Sequence, residues 1–447
     1  MVQSRTVVIA RRMRMLAAAT VVALVATACV GGGGSSDDSD TQPGQTIQPV
    51  TPQEPTSPVT ITFQSWVSEA QQMKKLSADF KKLHPNITVK FLNVPADSAT
   101  QKLTTQVAGG NPPDTAFLDS SAVQDFASRK ALVNLDGYIA GSQAVKLDDY
   151  VAGFKQTAVY QNSMFALPYD GETTGLFYRT DLFQAAGITN PPATWDELKA
   201  AAEKLTDPAK KQYGYVLFAP EAQYYWLPFL WQAGGSLLSK DGKTIAFNSP
   251  QGTQAADFYV GLRKYAPPDF LASNSWDGRT AFATGKVGMY MAGAWFGGEM
   301  AQSFPKIKGK WSVAPLPAGP ARCATTIAGD SLVVTSQSKN KDAAWLWVEF
   351  LSRPDNMKLW TFGTPTATLL PPRQSLLSDP ELGKYNPWLK GFADQMKCAV
   401  NETTNNPNWG QASDALNTEL GKAIYGEQSA TEALTKAAKK GQTLLEE

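Results

Sequence analysis

The chain has 447 residues, of which 43% are hydrophobic and 18% are charged. This length is enough for two ordinary lobes with a sizeable core. Its 41 basic and 40 acidic side chains nearly balance and form no basic stripe, which argues against nucleic acid as a partner. The only histidine is His84, and no His/Cys cluster has the spacing of a zinc site. We therefore expect no metal, no cofactor and no catalytic residue.

The first 28 residues have the layout of a secretory signal, with four arginines and no acid before an apolar run over 15–28. This run is shorter than the ~20 apolar residues of a membrane span. The small residues before Cys29 resemble the lipobox of bacterial lipoproteins, although that family prefers Leu where this chain has Ala26. We expect cleavage after residue 28 and a lipid on Cys29, which would anchor the exported protein to the outer face of the cell membrane. An ordinary secretory signal is the alternative, and Arg11-Arg12 leaves general or twin-arginine export open.

A tether is predicted over residues 29–58, beginning at the lipidated Cys29. Gly31–Gly34 lead into a stretch rich in Ser, Asp, Thr, Gln and Pro, which has too little apolar surface to order itself. The glycines do not form a phosphate loop, because no strand precedes them. Removing the signal leaves 37 basic and 40 acidic side chains, a net charge of −3.

The body begins with a strand over 59–63 and a helix whose capping box spans Ser68–Gln71. Apolar residues at helical spacing lie on one face of that helix: Met73, Leu76, Phe80 and Leu83. His84 ends the helix in a His-Pro turn, where we expect it to be a surface cap and not a catalytic base. A second strand follows over 87–92.

A second capping box at Ser98–Gln101 predicts a helix that ends at Gly109-Gly110, before a third strand over 115–118. Later helix starts are predicted at Thr194–Glu197, Ser249-Pro250 and Ser429–Glu432. Strands that alternate with helices imply a largely parallel sheet covered on both faces. In such sheets ligands bind beyond the carboxyl ends of strands, which directs attention to loops 64–69, 119–121 and 169–173.

Two cysteines remain once Cys29 is modified, Cys323 and Cys398. An even pair in an exported domain indicates a disulfide, and two buried free thiols are the alternative. The sequence also contains 12 Trp and 14 Tyr. Some of them belong to the core, but aromatic rings also present a flat apolar face to a sugar.

Several segments together resemble the extracellular solute-binding proteins of bacterial ABC importers, the family of the maltose-binding protein and of many actinobacterial sugar-binding lipoproteins. The likeness covers nearly all of 59–445 and is carried by the order of these segments: 80–91, 103–119, 164–188, 191–206 and 281–295. The most specific is MFALPYDGETTGLFYRTDLFQAAGI at 164–188. The resemblance implies an α/β, two-lobed periplasmic-binding-protein fold. Each lobe would be a mostly parallel sheet flanked by helices, with the ligand cleft between the lobes.

By the same comparison, the chain crosses between the lobes near 168–174, 312–320 and 363–373. The N-lobe would then comprise 59–168 and 320–363, and the C-lobe 169–319 and 364–447. Binding should close the hinge, and an ABC permease in the membrane should recognise the closed form. The resemblance implies a monomer that carries a carbohydrate, most simply a disaccharide or oligosaccharide.

A sugar site needs aromatic faces and fixed polar groups, of which charged acceptors form the stronger hydrogen bonds. The resemblance implies these ligand-binding residues: Trp66, Asp119, Ser120, Tyr169, Asp170, Glu172, Glu221, Tyr224, Trp295, Asp330, Arg373 and Trp409. Some have structural alternatives: Asp119 as a turn residue and Trp409 as a helix cap. Trp226 and Trp231 are expected in the core.

Other functions remain open at the level of sequence. A secreted glycoside hydrolase needs only two carboxylates, and this chain has many. Within the binding class, the ligand could be a polyol, a glycerophosphodiester or a peptide. A phosphate ligand would call for more basic residues than Arg373, and the sequence shows no obvious cluster of them.

Overall fold

The computed structural model describes residues 47–272, 277–400, 406 and 408–446. The predicted signal, Cys29 and the start of the tether lie outside these residues. The described strands are β1 Val59–Ser65, β2 Ile87–Asn93, β3 Thr115–Asp119, β4 Val159–Tyr160, β5 Ser163–Met164, β6 Leu167–Pro168, β7 Glu172–Thr173, β8 Gly175–Arg179, β9 Met289–Ala292, β10 Trp311–Ala314, β11 Thr325–Ala328, β12 Asp330–Val334 and β13 Ala399–Val400.

The α-helices lie between and after these strands. They are α1 Gln71–Leu83, α2 Ala96–Ala108, α3 Val123–Ser128, α4 Asp136–Gly141, α5 Ala152–Thr157, α6 Thr180–Ala185, α7 Trp195–Leu205, α8 Ala222–Gln232, α9 Pro250–Gly261, α10 Gly278–Ala283, α11 Trp295–Ser303, α12 Lys341–Leu351, α13 Pro354–Thr361, α14 Gln374–Leu377, α15 Trp388–Gln395, α16 Trp409–Tyr425 and α17 Ala430–Glu446. In the part of the chain that the structure describes, none has both the length and the apolar character needed to cross a membrane.

The five-stranded sheet has the order β2-β1-β3-β12-β6. β1 pairs in parallel with β2 and β3, whereas β12 runs antiparallel to β3 and β6. Its strands bury apolar side chains against α1 and α12, where Trp347 packs edge-on against Phe63 and Phe80. The predicted strands over 59–63, 87–92 and 115–118 are therefore confirmed, and the chain returns to this sheet at Asp330.

The antiparallel sheet has the order β10-β8-β9. Both of its pairs run antiparallel, unlike the parallel pairing that alternation along the sequence predicted. The reason is that β9 and β10, which are joined through α11, do not pair with each other, because β8 lies between them and runs antiparallel to both. A second core lies among α7, α8, α9, α16 and α17 and contains Trp226 and Trp231, as predicted.

The linking sheet, of order β13-β11-β7, joins the other two. β7 lies in the chain between the five-stranded and antiparallel sheets, and β11 lies on the return path. Next to it the structure contains the disulfide between Cys323 and Cys398. Gly329 separates β11 from β12 with φ +150°, and a Cβ there would lie 2.4 Å from the Asp170 carbonyl oxygen. Only glycine fits this close approach of two linking segments.

Three of the predicted helix starts have the expected caps. The side chains of Thr194, Ser249 and Ser429 accept hydrogen bonds from backbone N–H groups in the first turn. The predictions for Ser68 and Ser98 are wrong. α1 begins at Gln71 after Ala70, leaving Ser68 buried outside the helix, and Ser98 lies inside the first turn of α2.

Residues 47–58 differ from the predicted tether, because they lie against the body. The Val50 N–H donates to the Gly137 carbonyl oxygen at 2.8 Å, and the Gln53 N–H donates to Asp342 Oδ2 at 2.9 Å. His84 is buried, and its Nδ1 lies 2.5 Å from Glu54 Oε1, which corrects its expected place at the surface. These long-range contacts, invisible in local composition, order a segment that is itself poor in apolar residues.

Candidate ligand-binding site

Strand register brings four acidic residues together at the linking sheet. Asp330 at the start of β12 pairs with Asp119 at the end of β3, and Ala328 of β11 pairs with Glu172 of β7. The Asp330 carbonyl oxygen accepts from the Tyr169 N–H at 2.9 Å, which fixes Asp170 beside β12. We call Asp119, Asp170, Glu172 and Asp330 the carboxylate cluster.

Asp170 is the buried member of the carboxylate cluster, and the half-buried Asp330 lies beside it. Asp170 is 2% exposed, and its Oδ1 accepts from the Asp330 N–H at 3.1 Å. Burial raises the pKa of Asp170 to about 7, against the opposing effect of its hydrogen bonds. The pKa of Asp330 is raised well above its usual range by burial and then by repulsion from Asp170 and Asp119. Both carboxyls therefore hold protons more tightly than exposed ones do.

Trp360, which sequence reasoning missed, holds Asp170 in place. Its Nε1–H donates to Asp170 Oδ2 at 2.7 Å, and its ring stacks on Tyr169 with centroids 5.7 Å apart. Trp360 lies in α13, 190 residues further along the chain. Only its position shortly before the third expected crossing could have drawn attention to it.

Glu172 lies near the indole of Trp295. Its Oε2 is buried and has no hydrogen-bond partner among the described residues. Burial, followed by repulsion from Asp170 and Asp119, raises the pKa of Glu172 to about 8. A Cβ on Gly293 would lie 1.9 Å from Glu172 Oε2 and 2.8 Å from Trp295 Cδ1. The missing side chain at Gly293 therefore lets the carboxyl and the indole approach the same point.

Three predicted aromatic residues keep part of their surface exposed. Trp295 opens α11, and Trp66 follows β1 and packs on Phe117 with ring centroids 4.7 Å apart. Burial and then the charge of Glu172 raise the pKa of Tyr224 well above its usual range, while the Thr174 and Thr326 hydroxyls hydrogen bond it. Sequence reasoning also missed these two threonines, which hold the Tyr224 hydroxyl where the charge of Glu172 acts on it.

Tyr169 is fully buried between Phe117 and Trp360. Its hydroxyl has no hydrogen-bond partner among the described residues. Burial and the adjacent Asp170 raise the pKa of this phenol well above its usual range. The predicted ligand residue is thus mainly a packing element whose polar end is left beside an acid.

Asp119 and Ser120 combine local and site roles. Asp119 Oδ1 accepts from the Ser121 N–H at 2.8 Å, so the predicted turn contact exists, while its charge still acts on Glu172 and Asp330. Ser120 is buried, and its Oγ lies 2.9 Å from Ser331 Oγ. Its hydroxyl is therefore already engaged inside the protein.

Arg373 is buried and forms an ion pair within the fold. It is 1% exposed, its Nε lies 3.3 Å from Asp149 Oδ2, and its Nη2 donates to the Ala144 carbonyl oxygen at 2.9 Å. The guanidinium also lies over the Tyr150 ring, 5.0 Å from its centroid. These contacts hold the guanidinium within the fold, while its Nε and Nη1 have no hydrogen-bond partner among the described residues. The ligand contact of Arg373 stays a prediction.

Glu221 and Trp409 also have other surroundings than those of the carboxylate cluster. Glu221 is exposed at the start of α8, and its charge raises the pKa values of Tyr225 and Tyr259 after the larger effect of burial. Trp409 opens α16 and packs, half-buried, on the core among the helices. Within the described ranges, no group of His, Cys, Asp or Glu is arranged to hold a metal ion.

A sequence profile for the bacterial extracellular solute-binding proteins matches residues 60–358. A lipoprotein of Streptomyces antibioticus is 27% identical to this chain over 338 residues, which is 73% of each chain. The chain is thus similar over most of its length to exported binding proteins.

Two solved structures are similar in both sequence and fold. The solute-binding protein of a Thermotoga lettingae ABC transporter, solved with α-D-tagatose, is 28% identical with a TM-score of 0.79. The comparison covers 87% of this chain and 100% of that one. The GacH receptor of Streptomyces glaucescens, solved unliganded and with acarbose, is 28% identical with a TM-score of 0.77, covering 87% and 98%. The predicted two-lobed α/β fold is confirmed, and the chain belongs to the bacterial extracellular solute-binding proteins.

Proposed function

We propose that this protein captures a carbohydrate at the carboxylate cluster and delivers it to the membrane permease of an ABC importer. The observation that carries the proposal is the meeting of Asp170, Glu172 and Asp330 with Tyr224 and Trp295 on segments that link two sheets. Carboxylates accept strong hydrogen bonds from sugar hydroxyls, and the aromatic rings offer apolar faces. The tagatose and acarbose complexes of similar proteins support a carbohydrate ligand.

Hinge closure is the proposed mode of capture. The N-lobe would be 59–168 with 320–363, and the C-lobe 169–319 with 364–447. The five-stranded sheet draws its strands from the first set and the antiparallel sheet from the second, which supports this division. Near the third expected crossing, the backbones of Leu370 and Gly171 form an antiparallel β-bridge. A ligand that binds both lobes favours the closed form, and a permease that prefers this form would distinguish loaded from empty protein.

We also propose a lipid on Cys29 that holds the monomer at the outer face of the cell membrane. The support is the lipobox-like sequence and the similar Streptomyces antibioticus lipoprotein. Mass spectrometry of the mature protein should find an N-terminal Cys29 that carries lipid. An unmodified Cys29, or cleavage elsewhere, would contradict the anchor and leave the binding function standing.

Calorimetric titration of the full chain with mono- to tetrasaccharides tests the ligand and its site. At least one carbohydrate should bind, and Trp295→Ala and Glu172→Ala should each weaken its binding roughly tenfold or more. Tyr385→Ala and Asp148→Ala, which alter an exposed ring and an exposed carboxyl, serve as matched controls. Wild-type affinity in both site variants would refute the site, and no carbohydrate binding at all would refute the ligand class.

Glycoside hydrolysis is the second candidate, because Glu172 has the raised pKa that a general acid needs. We favour binding without turnover, since solute-binding proteins are a transport family and not an enzyme family. A panel of aryl glycosides should therefore release no aryl alcohol above background. Release that disappears in Glu172→Gln would reverse this choice.

A further inference from the structure

We infer that the carbohydrate carries a positive charge, as an amino sugar does. This inference rests on the proposed function and adds the chemical class of the ligand. Its starting point is the imbalance of charge where the linking sheet meets β3 and β12. Four carboxyl groups converge there, and none of them forms an ion pair with a cation among the described residues.

Among the described residues, no ion pair balances the charge of the carboxylate cluster. Their ion pairs join Lys, Arg and His to other acids, and none involves a member of the carboxylate cluster. Arg373, the predicted cationic candidate, is paired with Asp149. The two internal gaps in the description, 273–276 and 401–407 apart from Asn406, contain neither Lys nor Arg in the sequence. The charge must therefore be balanced by protons or by the ligand.

Two unpartnered atoms point to a ligand that donates hydrogen bonds. Glu172 Oε2 is buried beside Gly293 and Trp295 without a donor among the described residues. The Tyr169 hydroxyl, on a fully buried residue, has no partner there either and interacts with the adjacent Asp170. An ammonium group supplies several N–H donors together with the missing charge, and an aromatic face such as that of Trp295 favours a cation.

Among the described residues, the titratable groups with the largest effects on these carboxyls are themselves acids. Asp170 and Asp119 act on Glu172; those two and Glu172 act on Asp330; and the phenols of Tyr169 and Tyr224 adjoin Asp170 and Glu172. The pKa values of Asp170 and Glu172 are raised to about 7 and about 8, so protons supply part of the balance near neutral pH. A bound cation lowers these pKa values, and its binding therefore releases protons near neutral pH.

The test compares sugars that differ only at carbon 2. Calorimetry on the full chain at pH ~6.5 would pair glucose, galactose and mannose with their 2-amino counterparts, and cellobiose with chitobiose. At least one amino sugar should bind roughly tenfold or more tightly than its hydroxyl counterpart. Lowering the pH by one unit should weaken that binding roughly tenfold for each proton released, because protons then compete with the cation. The neutral sugar should show little change.

Glu172→Gln removes one charge and keeps the shape of the side chain. It should reduce the preference for the amino sugar and the number of protons released, whereas Asp148→Asn, the same change at an exposed position, should alter neither. Thermal melting confirms that both variants fold. If hydroxyl sugars bind at least as tightly as their amino counterparts, the inference is wrong and the proposed function stands. If no sugar of either kind binds, the proposed function falls with it.

Discussion

Two buried charged regions lie close together along the linking segments and are built in opposite ways. In one, Arg373 pairs with Asp149, donates to the Ala144 carbonyl oxygen and lies over Tyr150. In the other, Asp170 and Asp330 lie beside each other, and neither forms an ion pair with a basic side chain in the described part of the chain. The first arrangement balances its charge within the fold, whereas the second leaves the balance to protons or to a ligand.

The contrast separates a stabilising group from a binding group. An ion pair offsets opposite charges within the fold, but carboxyls that repel each other destabilise the folded state once they ionise. Such an arrangement persists at functional sites because the same unbalanced groups provide the interactions with a ligand. The raised pKa values of Asp170 and Glu172 are thus the chemical signature of the proposed site.

We expect the largest loss of stability from removing Arg373, the cation that pairs with Asp149. Arg373→Met removes the ion pair with Asp149, the hydrogen bond to the Ala144 carbonyl oxygen and the contact with the Tyr150 ring, and we expect the free energy of unfolding to fall by about 3 kcal/mol. Chemical denaturation measures the loss, and Arg129→Met, at an exposed surface pair, is the control. The folded variant should keep its affinity for ligand. If the variant instead has normal stability and a lower affinity for ligand, Arg373 contacts the ligand.

The sequence predicted the elements whose signals are local. The strands over 59–63, 87–92 and 115–118 follow from short apolar runs, and the caps at Thr194 and Ser249 from residue type and spacing. Local signals fail where two starts compete. Ser68 has the right residue three places later, yet α1 begins after Ala70 because Ser68 is buried in the turn that follows β1.

The site was predictable only in part. The resemblance pointed to Asp170, Glu172 and Trp295, which the structure brings near one another or near a shared neighbour. It could not reveal that Trp360 donates to Asp170, since that contact depends on packing across 190 residues. The partner of Arg373 was hidden for the same reason, because charge on a side chain does not tell which of many distant acids will meet it.

We expect an effect of intermediate size from changing Glu172 in the carboxylate cluster. Because the pKa of Glu172 is raised from 4.5 to about 8 in the folded protein, its protonated form contributes stability at low pH. That stability is lost as the pH rises from the unfolded pKa through the folded one. The Glu172→Gln variant lacks this pH dependence. The free energy of unfolding of the variant minus that of wild type should therefore increase by ~2 kcal/mol between pH ~5 and pH ~8, a value reduced to allow for the partial exposure of Glu172. Denaturation at several pH values measures the trend, and a constant difference would mean that Glu172 ionises normally.

We expect the smallest effect from neutralising Asp149, the acid that pairs with Arg373. Asp149 also accepts from the Ser375 N–H at 2.9 Å and from its hydroxyl at 2.7 Å, and its side chain is partly exposed. Asp149→Asn keeps the shape and one acceptor oxygen, so the free energy of unfolding should fall by only ~1 kcal/mol. The residual cost belongs to Arg373, which then lacks its counter-charge in the interior. A loss as large as that of Arg373→Met would mean that the ion pair itself, and not the burial of the guanidinium among Ala144 and Tyr150, dominates this region.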